Sequence, residues 1–101
     1  MVVRLTYFST SADKVEKMRK VYTEEAMPVV RSQKGNLDCK LLEPVNNTDQ
    51  FISMTVWDNQ QDADAYQSTG VYKKLVDRVR EFFNGDPILK VYHIESVMEH
   101  A

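Results

Sequence analysis

The chain has 101 residues, 43% of them apolar and 28% charged, with a formal net charge of -2; this excludes a disordered chain and fits one domain over residues 1–101. So small a charge excess gives no electrostatic reason to expect nucleic acid or an anionic membrane as a partner. A lone cysteine, Cys39, excludes an internal disulfide framework, and neither a signal-peptide core nor an apolar run of bilayer length occurs, so the expected location is the cytoplasm.

Val2 to Phe8 alternates, with Val3, Leu5 and Tyr7 on one side and Arg4 and Thr6 on the other; this period of two predicts a strand. Ser9, Thr10 and Ser11 then offer side-chain oxygens for a helix N-cap. From Ala12 the apolar residues Val15, Met18, Tyr22, Ala26 and Val29 recur at three- and four-residue steps, which predicts an amphipathic helix to about Lys34. Pro28 removes a backbone donor and crowds the carbonyl four residues back, so a kink or break is expected there, with Gly35 able to end the helix in the left-handed conformation. Leu37 to Glu43 predicts a second strand, Pro44 to Gln50 a turn, and Phe51 to Trp57 a third strand. Asp58 is the expected cap of a short helix over Gln60 to Gln67, with Gln61 completing a capping box. Ser68 or Thr69 is the expected cap of the next helix, whose apolar stripe is Val71 (or Tyr72), Leu75, Val79 and Phe82. Asn84, Gly85 and Pro87 end it, and Ile88 to Val97 is the fourth strand.

The order β-α-β-β-α-β, with the second helix split in two, is that of the α+β ferredoxin-like fold: a four-stranded antiparallel sheet with its helices on one face. The third strand says what happens on the other face. Phe51, Ser53, Thr55 and Trp57 point one way and Ile52, Met54 and Val56 the other, and neither set is charged. An antiparallel sheet wet on one side carries polar residues there. Both faces are therefore expected to be covered, one by the helices and one by a second copy of the chain, sheet against sheet, in a homodimer.

Several side chains invite a functional reading. Trp57, Tyr66 and Tyr72, with Ser53 and Thr55 on the floor, are expected to border one pocket for a small hydrophobic or aromatic molecule. Trp57 has an alternative use as packing between sheet and helices, and the tyrosines as buried rings with wet hydroxyls. His93, on the fourth strand beside Val91 on its face, is a candidate acid/base because imidazole titrates near neutrality; the alternative is a structural histidine. His100 lies near the terminus. Cys39 has no histidine nearby in sequence to activate it and reads as a buried, inert thiol. No metal-ligand spacing and no glycine-rich nucleotide loop occurs, so no metal and no cofactor is expected. Lys14, Lys17, Lys20 and Glu24 read as a solvated helix surface.

Two stretches carry a family resemblance: TVWDNQQDADAYQSTGVYKKL, from Thr55 to Leu75, and PVVRSQKGNLDCKLLE, from Pro28 to Glu43. With the element order they resemble the antibiotic-biosynthesis-monooxygenase family, whose third strand ends in Trp before a short polar helix and a longer one. The resemblance implies a dimeric α/β barrel. It does not carry one chemistry across. The family's haem degraders place a Trp and a haem-ligating His where this chain has Tyr66 and Val76, and an Asn on the first strand where this chain has none. Its cofactor-independent oxygenases share Trp57 but use an Asn and a Tyr where Ser53 and Ala63 stand, and a further group uses a His where Val71 stands. The implied function is that of a monooxygenase-like enzyme acting on a small aromatic or quinol compound without metal or haem. The alternatives are a non-catalytic, small-ligand-binding dimeric barrel, or a different barrel enzyme such as an isomerase.

Overall fold

The computed structural model describes residues 1–95, so the expected strand end at Val97, and His100, lie outside the described residues. Its strands are β1 (Val2–Phe8), β2 (Asn36–Leu42), β3 (Phe51–Trp57) and β4 (Ile88–His93). They form one sheet in the order β2-β3-β1-β4, with every neighbouring pair antiparallel. Each helical crossover thus spans one intervening strand, the split βαβ arrangement of the α+β ferredoxin-like fold.

The first crossover stays helical from a 3₁₀ turn (Ala12–Lys14) through α1 (Val15–Val21), a π segment (Tyr22–Ala26) and α2 (Met27–Arg31). The disturbance expected at Pro28 therefore lies one turn earlier. Proline has no N–H to return to the carbonyl four residues back and its ring crowds that carbonyl; the wider π register accommodates both faults without breaking the helix. Gly35 follows in the left-handed region at φ +81°, and a side chain there would collide with Asp62. Its carbonyl accepts the Asp58 N–H at 2.8 Å, which fixes where the third strand leaves the sheet.

The second crossover is α3 (Gln60–Ser68), α4 (Val71–Val79) and a 3₁₀ turn (Arg80–Phe82). Its caps differ from expectation. Asn59, not Asp58, caps α3: its Oδ1 accepts the Asp62 N–H at 2.8 Å and its Nδ2 donates to Asp62 Oδ2 at 3.1 Å. Gly70 (φ +86°), not Ser68 or Thr69, starts α4, while the Thr69 hydroxyl turns back to donate to Ala65 O at 2.7 Å. A left-handed corner between two helices favours glycine over a hydroxyl cap.

Pairing sets the faces. Arg4 lies opposite Thr55 on β3 and Val91 on β4, and Thr6 opposite Ser53 and Leu89. These residues face the helices, where Val2, Phe8, Phe51 and Trp57 pack with Met18, Tyr22, Ala26, Val30, Cys39, Ala63, Tyr66 and Phe82 in one core. Val3, Leu5, Tyr7, Ile52, Met54 and Val56 are half-buried on the opposite face, beside the exposed Leu42, Ile88 and Tyr92. The apolar side of β1 thus points away from the helices and its polar side beneath them. Among the described residues no helix is long and apolar enough to cross a membrane.

Candidate functional site

Between the sheet and the helices lies an open cleft of about 470 Å³ counted out to solvent, narrow inside. β1 contributes Thr6 and Phe8, β3 Ser53, and α3 Tyr66; the first crossover supplies Met18, Tyr22, Ala26 and Val30. Tyr72, Leu75, Val76 and Val79 of α4 form the remaining wall with Phe83. The amphipathic stripe of α4 explains its share: these positions recur at helical spacing, and Tyr72, Leu75 and Val79 pack against the core.

Two hydroxyl pairs interrupt this apolar lining. Tyr22 Oη lies 2.7 Å from Ser53 Oγ, 3.3 Å from Lys40 O and 3.4 Å from Cys39 Sγ. Tyr72 Oη lies 2.9 Å from Thr6 Oγ1. Burial pushes the Tyr22 and Tyr66 phenols well above the ordinary tyrosine range, so both stay neutral and protonated. Burial likewise raises the Cys39 thiol, which agrees with an inert buried cysteine rather than a nucleophile.

Beside this wall stands a buried cation. Arg4 is 5% exposed; its guanidinium carbon lies 4.7 Å from the Tyr72 ring centroid and 5.3 Å from that of Tyr66. Nη2 donates to Gln67 Oε1, and Nε has no hydrogen-bond partner among the described residues. Burial lowers its pKa, and the nearby Tyr72, Tyr66 and Asp64 partly offset this.

The structure brings Ser53, Tyr66 and Tyr72 to the cavity and leaves the other expected site residues elsewhere. Trp57 is fully enclosed, stacked on the Tyr66 ring at 4.7 Å and donating from Nε1 to Thr55 Oγ1 at 2.9 Å. It backs Tyr66 and does not line the cavity. Thr55, 4% exposed, serves Trp57 as acceptor and is not on the cavity floor. His93 pairs with Val2, four residues along β1 from Thr6, or about 13 Å at the usual strand rise. Its Nε2 contacts Gln60 Oε1 at 2.9 Å on the exposed edge, so it does not reach the cavity. Sequence reasoning passed over Tyr22, Thr6 and Arg4. Tyr22 sat in an ordinary apolar helix stripe, and Thr6 and Arg4 lay on the polar side of an alternating strand. Among the described residues no three of His, Cys, Asp and Glu gather as a metal-binding set.

Comparison with known proteins gives this geometry a context. The family model for antibiotic biosynthesis monooxygenase matches residues 1–78. No curated protein sequence matches the chain. A structure from Deinococcus radiodurans, provisionally named an antibiotic biosynthesis monooxygenase, is 17% identical with a TM-score of 0.82, covering 100% of this chain and 99% of that one. One from Nitrosomonas europaea, named in the same way, is 21% identical with a TM-score of 0.76, covering 95% and 100%. The heme-degrader MhuD from Mycobacterium tuberculosis, solved with two hemes in its active site, is 18% identical with a TM-score of 0.79, covering 98% and 100%. At these identities the structural likeness speaks for the fold.

Proposed function

The chain belongs to the antibiotic biosynthesis monooxygenase family, and on that premise we propose that it is a monooxygenase-like enzyme acting on a small aromatic or quinol compound without metal or haem. The observation that carries this reading is the pairing of hydroxyls within an otherwise apolar cleft: Tyr22 with Ser53, and Thr6 with Tyr72. An electron-rich phenolate reacts with O₂ directly. In such a step a ring CH ortho or para to the phenolate oxygen loses its hydrogen and the hydroxyl its proton; one atom of O₂ becomes the second carbonyl of the quinone and the other leaves as water with those two hydrogens. The protein's task is to hold the ring dry and to donate hydrogen bonds where negative charge develops. A Tyr22 phenol kept protonated by burial is suited to that task.

Haem does not fit the residues present. Val76 lines the cavity at the position where family haem degraders carry their ligand, and it offers no donor atom. Tyr22 and Tyr66 are held as neutral phenols, and His93 is on the sheet edge.

A non-catalytic ligand-binding barrel is the second reading, and one observation favours it: among the described residues, no group that titrates near neutrality lines the cavity. Oxygen uptake by the purified protein with a panel of quinols and polycyclic phenols, with and without flavin, separates the two. Flavin-independent uptake supports the enzyme; tight binding of those compounds with no uptake supports the binding protein.

We further propose a homodimer of single-domain chains, joined through the uncovered face of the sheet, in the cytoplasm. Six half-buried apolar side chains on the two central strands support the joint.

A further inference from the structure

Buried charges in proteins are paired, because removing a cation from water without a counter-charge is costly. Arg4 departs from that rule. It is 5% exposed, forms no ion pair among the described residues, and leaves Nε without a partner. The elements packed around it supply little to neutralise it. From α3 come Tyr66, the neutral Gln67 amide and, farther off, the exposed Asp64; from α4 comes Tyr72. Its cross-strand neighbours Thr55 and Val91 are uncharged. Both rings against which the guanidinium lies are cavity walls, and Thr6, two residues along the same face of β1, is another.

We propose that Arg4 is a specificity-determining residue that gives the cleft a standing positive potential, so that the ligand binds with its hydroxyl ionised, as a phenolate or enolate. This rests on the reading of the cleft as the ligand site and deepens it. Arg4 is a positioning and field-setting residue; it does not touch the ligand. Tyr66 and Tyr72 hold its charge one ring's thickness from the cavity while screening it from a direct ion pair, leaving the oxyanion to hydrogen bonds from the pocket hydroxyls. At an effective dielectric of about 20, a unit charge about 8 Å from an oxyanion favours the anion by about 30-fold, and solvent in the open cleft reduces this to about tenfold. The same charge repels cationic ligands and is indifferent to neutral ones.

The test uses a matched pair of probes on the full chain: 4-nitrophenol, whose ionised form has its own absorption band, and 4-nitroanisole, the same ring with the acidic proton replaced by methyl. The native protein is expected to bind 4-nitrophenol several-fold tighter than 4-nitroanisole near neutral pH, rising to about tenfold once the free probe is fully ionised. The phenolate band should grow on binding, with the bound probe titrating about one pH unit lower than the free one. R4M, which keeps length without charge, should bring the ratio of the two affinities to about one and abolish the band shift, the ratio cancelling any general change in the cleft. R4K, which keeps a charge, should retain part of both effects; it and the native protein decide the matter if R4M fails to fold. Equal binding of the two probes to the native protein, or a band shift that survives in folded R4M, overturns the proposal and leaves the cleft as the ligand site. Binding of neither probe overturns the site reading and the proposal with it.

Discussion

Beneath the helices the central strands carry Arg4, Thr6, Ser53 and Thr55; on the side away from the helices they carry Val3, Leu5, Tyr7, Ile52, Met54 and Val56. The polar set is the better buried of the two. A polar group beneath a helix layer is tolerated where it finds a partner, and three of the four do: Thr55 takes the Trp57 indole N–H, Thr6 pairs with Tyr72, and Ser53 with Tyr22. The other face makes no such demand. Its side chains are apolar, and flat burial against a like surface satisfies them. On the proposed reading one side of the sheet serves chemistry and the other association, and the two should respond differently to mutation.

The largest effect is expected on the association side. Met54 sits opposite Leu5 on β1 and Lys40 on β2, near the middle of the uncovered face. Met54→Asp places a carboxylate in the proposed joint, and an unpaired buried charge costs about 3 kcal/mol or more. Sedimentation should find the native protein at twice the chain mass and the variant at the chain mass or unfolded. A native monomer at micromolar concentration would break the comparison, because the apolar face would then have no cover.

Effects of intermediate size are expected under the helices. Trp57→Phe strands the Thr55 hydroxyl at 4% exposure, and an unsatisfied buried hydroxyl costs about 1–3 kcal/mol. Urea unfolding should show this loss while ligand affinity holds, since Trp57 lies behind Tyr66 rather than in the cavity. Lost binding in a folded variant would move Trp57 to the ligand. Tyr22→Phe should cost only about 1 kcal/mol, because water can reach the half-buried Ser53. If Tyr22 donates to a developing oxyanion, turnover should nonetheless fall by about 100-fold. Unchanged turnover in Y22F would leave the hydroxyl a purely structural group.

How far the sequence reveals this division depends on the kind of signal. Strand alternation on β1 and β3 gives the elements and the two sets of side chains, and the apolar set Ile52, Met54 and Val56 already asks for a cover. The identity of the buried set on β1 is hidden. An alternating strand normally sends Arg and Thr outward, and only the register against β3, with the aromatic pair Tyr66 and Tyr72 above it, makes a buried Arg4 tolerable. Ser53 is legible from its place on the Trp57 face of β3, and Tyr66 and Tyr72 from bracketing the break between α3 and α4. Tyr22 is not, because its place depends on a π segment whose only sequence sign is the proline two residues beyond it. Trp57 misleads for the opposite reason: a large indole ending a strand suggests a pocket wall, but its N–H finds Thr55 on its own strand and the ring closes into the core.

The smallest expected effect concerns haem, and it sharpens what the chemical side offers. That face supplies hydroxyls, aromatic rings and one guanidinium, and none of these is a good neutral-pH ligand for iron. A tyrosinate would be the nearest substitute, but burial holds Tyr22 and Tyr66 protonated. Val76 stands on the cavity wall without a donor atom, and His93 contacts Gln60 about 13 Å away along the sheet. Titrating haem into the protein should therefore give no sharp Soret band of histidine-ligated iron, only the broad absorption of weakly associated haem. Stoichiometric binding, followed by loss of the Soret band on adding a reductant, would show that a ligand comes from somewhere other than these residues. The hydroxyl pairs would then be the rim of a haem site rather than the recognition groups of a phenol.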